Sequence, residues 1–147
     1  MKTQKFDLCI YGGNAAGIVA AYTAADLGLS VAVVEYTNHP GGLSAAGLGH
    51  TDQGDFDQLG GVSGQFYKRI KDHYLKSEYA SRYQGGMGHR HEPHVAENIF
   101  WDMIKEKNIT FIPAHRLNRV EMDGKKIKTA VFDYAPPGKD GVPPAKP

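Results

Sequence analysis

Between two apolar runs near the N-terminus lies the sequence IYGGNAAG, residues 10–17, and no other feature of the chain constrains its fold as tightly. The run before it, residues 6–11 (FDLCIY), is short and apolar and reads as a buried strand. The residues after it, 15–27, are rich in alanine and read as a helix with a small-residue face, with Gly28 placed to end it. Residues 30–35 (SVAVVE) form a continuous β-branched run, the pattern of a parallel strand covered on both faces. Strand, glycine turn, helix and strand within about 30 residues make a βαβ unit, whose crossover is right-handed.

The turn itself is close to the glycine fingerprint that holds the pyrophosphate of a dinucleotide. A helix N-terminus offers unpaired N–H groups and partial positive charge to such an anion. Gly12 suits the tight turn, and Gly17 lets helix and strand pack closely. Where a middle glycine is usual, this chain has Asn14. Asparagine tolerates left-handed backbone angles better than other non-glycine residues, and its amide is able to donate to a phosphate oxygen. Glu35 ends the second strand, close to the roughly 20-residue spacing expected of a ribose-binding acid. A carboxylate there accepts from ribose hydroxyls and repels a 2′-phosphate, which disfavours NADP. The expected fold class is α/β: a Rossmann-like dinucleotide-binding domain with a parallel sheet, extra helices and a C-terminal β-hairpin.

Downstream, residues 36–59 show little periodicity and read as a long functional loop. Residues 61–83 read as one helix, with Phe66, Ile70 and Tyr74 on a common face. GGMGHRH, residues 85–91, breaks it, and Pro93 suits the first position of another helix. There Val95, Ile99 and Met103 form a stripe that Ala96, Phe100 and Ile104 widen. Residues 109–112 read as a strand. Residues 116–122 and 126–132 flank Asp123-Gly124, a hairpin signal. Residues 133–147 hold five prolines and no periodicity. They read as a proline-rich linker or as a truncated end, leaving residues 1–132 as the dinucleotide-binding domain.

The formal net charge is +1 and the basic residues form no run, so neither nucleic acid nor a membrane surface is an expected partner. The single cysteine, Cys9, lies in an apolar run and is expected to be buried and inert. A lone cysteine forms no internal disulfide, which fits a reducing compartment. No apolar run is long enough to span a bilayer. The expected location is the cytoplasm.

Four stretches together, FDLCIYGG, GGLSAAGLGHTD, GGVSGQFYKRI and EPHVAENIFWDMI, resemble the FAD-dependent oxidoreductases with a glutathione-reductase-like Rossmann domain. The resemblance runs from Phe6 to the proline-rich end, and GGLSAAGLGHTD is its more specific part. It implies FAD as the cofactor and a hydride transfer between flavin and a small-molecule substrate that the sequence does not identify. It also implies cofactor-binding positions. Gly12, Gly13, Asn14, Ala15, Ala16 and Gly17 would line the pyrophosphate, and Glu35 would hold the adenosine ribose. Gly41, Gly42, Leu43 and Ser44 would follow the ribityl chain and the flavin edge. Gly47, Leu48 and Gly49 would lie beside the isoalloxazine, and the Leu117 backbone would meet the adenine. Bulky cofactors laid along a backbone need positions without side chains, and two glycine loops supply them. The family also has a later flavin-contacting segment and a substrate domain, which these 147 residues do not carry, so the chain is expected to be the family's N-terminal part.

Two other readings stay open. One is a non-catalytic dinucleotide-binding module, and the other an NAD-dependent enzyme, which gains nothing from the 41–49 block. His50, followed by Thr51 and Asp52, is a candidate proton donor or acceptor near substrate, or a residue that only fixes its loop. His89, His91 and His94 fall within six residues, as metal ligands do, but a loop without a metal is the expectation. Ser44 and Ser63 sit in no nucleophile-elbow pattern.

Overall fold

In the computed structural model, which describes residues 3–51, 58–84, 88–139, 141, 142 and 144, the β-branched run becomes the middle strand of a parallel sheet. Strand β1 (Leu8–Tyr11) and strand β3 (Thr110–Ile112) flank β2 (Val31–Val34), each parallel to it. Every residue of β2 is buried, as its unbroken apolar sequence requires. Helix α1 (Ala15–Asp26) is the crossover between β1 and β2 and stops at Leu27 and a left-handed Gly28, with φ +83°.

Helices α1, α2 (Gly61–Tyr74) and α4 (Pro93–Glu106) pack on one another over one side of the sheet. The predicted stripes form the core: Phe66, Ile70 and Tyr74 from α2, and Val95, Ala96, Ile99, Phe100, Met103 and Ile104 from α4, around Ile18 and Ala21 of α1. Val31 and Val33 of β2 face this cluster. Ala32 and Val34 alternate to the opposite side, where they are also buried. Phe66 and Phe100 stack at its centre with ring centroids 4.4 Å apart.

Beyond the core, strands β4 (His115–Asp123) and β5 (Lys126–Tyr134) form the expected hairpin, slightly longer than its sequence signal, closed by Gly124 and Lys125. The long irregular segment after β2 contains a 3-10 turn at Gly42–Ser44. Among the described residues, no helix is long and apolar enough to cross a membrane.

Two expectations are corrected. Residues 61–83 do not form one helix: α2 ends at Tyr74 and a short α3 (Ala80–Tyr83) follows. The Ser77 hydroxyl donates to the Tyr74 carbonyl at 2.7 Å, and the turn brings Tyr83 back to stack on Tyr74 at 4.4 Å. A straight helix cannot make that stack. Cys9 is exposed rather than buried. Along β1, Leu8 and Ile10 point to the helix-covered core, so Cys9 and Tyr11 point to the other face. There Phe132 of the hairpin reaches Tyr11, with ring centroids 5.7 Å apart.

The three helices are also tied at one polar point. Tyr22 of α1 donates to Glu106 Oε1 at 2.6 Å, and Arg69 of α2 donates to Glu106 Oε2 at 2.8 Å. These two bonds hold the Glu106 carboxyl below its ordinary value, and the first of them pushes the Tyr22 hydroxyl up. A depressed carboxyl stabilises the fold above its unfolded pKa, and that contribution is lost as pH falls through the folded value. Because Glu106 is 43% exposed, solvent screens the pair. Glu106→Gln is therefore expected to cost at most about 1 kcal/mol at pH 7. The difference from the parent should narrow below about pH 4. Urea melts of both proteins across that range check it.

Candidate functional site

The turn after β1 is built for close backbone approach. Gly12 continues the sheet, donating to the Val34 carbonyl at 2.8 Å, and then takes φ +115°. A Cβ on Gly17 would lie 2.0 Å from the Gly12 carbonyl oxygen, so α1 sits against the turn only because residue 17 has no side chain.

Asn14 has a different reason for its place than the sequence suggests. Its backbone is extended, with φ −69° and ψ 176°, not left-handed. It is the N-cap of α1, and its side-chain oxygen accepts from the Gly17 N–H at 2.9 Å. The left-handed demand falls on Gly12 instead. With Gly17 capped and Ile18 bonded to the Asn14 carbonyl, the N–H groups of Ala15 and Ala16 have no acceptor among the described residues. The first turn of α1 holds no acidic side chain to neutralise them. An uncompensated helix end of this kind is chemically able to receive an anion.

Glu35 stands at the end of β2 with its carboxylate turned inward. It is 4% exposed. Oε2 accepts from the Gly13 N–H at 2.5 Å and Oε1 from the Thr37 N–H at 2.8 Å. Each oxygen keeps a further lone pair. The Glu35 backbone bonds to Ile112 at the end of β3 and to His115 at the start of β4, both at 2.9 Å. A Cβ on Gly13 would meet Phe111 at 2.8 Å and Glu35 at 3.1 Å.

The second glycine loop packs directly on the first. The Gly41 N–H donates to the Gly13 carbonyl at 2.7 Å, and Gly41 bridges Asn14 in parallel. A Cβ on Gly41 would lie 2.5 Å from the Phe100 ring, and one on Gly42 would lie 2.8 Å from Asn14 Cβ. These two glycines answer a packing demand within the protein. Gly47, with φ +108°, has open space where its Cβ would be. Leu43 and Leu48 are exposed on this loop. Gly49 lies against the His91 carbonyl.

His50 sits where the loop meets residues 89–91. His50 bridges Arg90, Thr51 donates to the His89 carbonyl at 2.8 Å, and His91 donates to the Gly49 carbonyl at 3.0 Å. The rings of His50 and His89 are 5.8 Å apart. Burial, with Arg90 and His50 adding to it, lowers the His89 pKa. Asp52, and Gly85 to Met87 of the GGMGHRH stretch, lie outside the described residues. Among the described residues, no three His, Cys, Asp or Glu side chains form a group able to hold a metal. His91 instead turns its Nε2 to the Ser44 carbonyl at 3.0 Å. That contact spans 47 positions of sequence, and no local pattern announces it. Leu117 lies on β4 opposite Phe132, the residue that packs on Tyr11. The root of the hairpin therefore reaches the strand that leads into the fingerprint turn.

A family model described as FAD dependent oxidoreductase matches residues 7–141. A 45-residue segment is 51% identical to the 3-oxosteroid 1-dehydrogenase of Mycobacterium tuberculosis (strain ATCC 25618 / H37Rv), covering 31% of this chain and 8% of that protein. Among solved structures, the L-amino acid deaminase from Proteus vulgaris lacking its specific insertion sequence superposes with a TM-score of 0.62 at 14% identity, over 90% of this chain and 51% of that one. L-proline dehydrogenase from P. horikoshii superposes with a TM-score of 0.60 at 12% identity, over 90% and 50%. The chain thus spans 8% of the curated relative and about half of these two structures.

The contact at Gly17 makes a prediction about stability. Gly17→Ala places its methyl against backbone that has nowhere to go, and should cost at least about 2 kcal/mol. Gly28→Ala faces open space at positive φ and should cost about 1 kcal/mol from backbone strain alone. Chemical denaturation of the two variants beside the parent measures the contrast.

Proposed function

The chain belongs to the family of FAD-dependent oxidoreductases, and on that premise we propose that it forms the dinucleotide-holding part of an enzyme that moves a hydride between flavin and a small-molecule substrate. The observation that carries this reading is the pair of unpaired amides, Ala15 and Ala16, at the un-neutralised positive end of α1 beside the bare Gly12. They would hold the pyrophosphate by charge-assisted hydrogen bonds. Asn14, its oxygen already committed to the cap, would turn its amide N–H groups to the same anion. The remaining lone pairs of Glu35 would accept from the adenosine ribose, and the Leu117 backbone would border the adenine. Gly41, Gly42, Leu43 and Ser44 would guide the ribityl chain, and Gly47, Leu48 and Gly49 would flank the isoalloxazine.

When bound, the flavin supplies hydride acceptance and donation; the protein supplies position, charge and exclusion of water. The exposed Leu43 and Leu48 offer the apolar surface for that exclusion. We propose His50, on the loop after Gly49, as the side chain that exchanges a proton with substrate. Within these 147 residues Cys9 has no partner for a disulfide, which supports a reducing compartment, and we propose the cytoplasm on that basis.

Titration with FAD, ADP and NAD, read by flavin fluorescence and calorimetry, tests this. FAD should bind, with ADP competing, and NAD should bind more weakly than FAD. Asn14→Asp keeps the cap but sets a carboxylate where the phosphates would lie. Its melting temperature should match or exceed the parent's, while FAD affinity falls by about tenfold or more. Equal FAD affinity in the two proteins would sink the placement of the pyrophosphate.

A further inference from the structure

Deepening the FAD-site reading, on which it rests, we propose that His91 is a positioning residue that closes the second glycine loop at both ends. The Ser44 carbonyl only accepts, so the His91 Nε2 carries the proton of their 3.0 Å hydrogen bond. The backbone N–H of the same residue donates to the Gly49 carbonyl, also at 3.0 Å. The stretch from Ser44 to Gly49, with Gly47 and Leu48 between, is thus fastened to one residue at each end.

The geometry behind the ring makes the fastening rigid. His91 is 6% exposed and stands edge-on to Phe66, with centroids 6.4 Å apart and planes at 87°. Phe66 stacks on Phe100, and the Phe100 ring is the floor against which Gly41 rests. One aromatic column therefore carries Gly41 at one end and, through His91, Ser44 at the other. The segment around His91 is held from behind as well. Tyr83 donates to the Arg90 carbonyl at 2.6 Å, and the Glu92 N–H donates to the Tyr74 hydroxyl at 2.8 Å. The other ring nitrogen, Nδ1, is buried and has no hydrogen-bond partner among the described residues. With Nε2 committed to the Ser44 carbonyl, what the ring does in this geometry is hold the loop.

His91→Leu keeps bulk against Phe66 and removes the donor; His91→Gln restores a donor at similar reach. His91→Phe repeats the loss in a second shape should the leucine variant not fold. In hydrogen–deuterium exchange on the ligand-free chain, amides of residues 44–50 should exchange faster in the Leu and Phe variants and at the parental rate in the Gln variant. FAD affinity should fall by about threefold to tenfold in the donorless variants. ADP affinity should not move, because ADP would need only the fingerprint turn, Glu35 and the Leu117 backbone, none of which His91 touches. Parental exchange and parental FAD affinity in the Leu and Phe variants would overturn the proposal. So would an equal loss of ADP and FAD, which marks general damage to the fold. A parent that binds neither ligand refutes the FAD-site reading instead, and the exchange comparison then decides whether His91 holds the loop.

Discussion

A carboxylate removed from water must find donors, and the carboxylate of Glu35 finds them in two loops at once. Gly13 of the fingerprint turn and Thr37 of the following loop each give it an N–H. Its own backbone joins the end of β3 to the start of β4. Turn, sheet and hairpin therefore meet at one residue. The cost of burying that charge is offset only while both amides stay in place, so the turn geometry and the sheet edge are held jointly. A side chain at position 13 would clash with Phe111 and press on Glu35. The acid expected to recognise ribose is therefore first a structural acceptor, and its ligand capacity is what the two internal bonds leave over.

The two glycine loops extend the same dependence into the core. Gly41 bonds to Gly13 and rests on Phe100, whose stack with Phe66 is the centre of the helix packing. Core and site are thus one mechanical unit. A change of volume at Phe100 reaches the loop above it directly, since close-packed interiors transmit strain rather than absorb it. Glycine is required at 41 and 42 whether or not a ligand is present, whereas at Gly47 the positive φ opens onto free space. At Gly47, and at Gly49 with its nearest neighbour 3.4 Å away, the left-handed backbone rather than close packing calls for glycine.

What the sequence made legible was local. The continuous apolar run of β2, the stripe along α4, Pro93 at its start, Gly28 at the end of α1 and the Asp-Gly hairpin all follow from periodicity or turn chemistry within a few residues. The contact at Gly17 was legible too, because the fingerprint spacing encodes it. Three of the misses share a cause in distance along the chain. The break after Tyr74 depends on Tyr83 returning to it. The exposure of Cys9 depends on which sheet face the helices cover. The hold of His91 on Ser44 joins residues that no pattern relates. In the sequence the histidines around position 91 read as part of a loop, with nothing to say which of them the fold uses. In the fold, one of them, His91, meets the Ser44 carbonyl with its ring.

Asn14 shows how a departure from a motif is resolved by competing demands on one residue. A glycine at this position leaves the most room beside an anion but gives α1 no side-chain cap. An acidic cap or an acid in the first turn would stabilise the helix through its dipole, worth about 0.3–1 kcal/mol, yet would occupy the positive end with the protein's own charge. Asparagine satisfies the Gly17 N–H as well as aspartate does, and it brings no charge. The helix start is thereby secured while Ala15 and Ala16 keep their donors free and the dipole stays unanswered. A neutral cap is the choice that stabilises the turn without spending the field that an incoming phosphate needs. On the proposed placement of the pyrophosphate, the substitution fits the geometry it seemed at first to disturb.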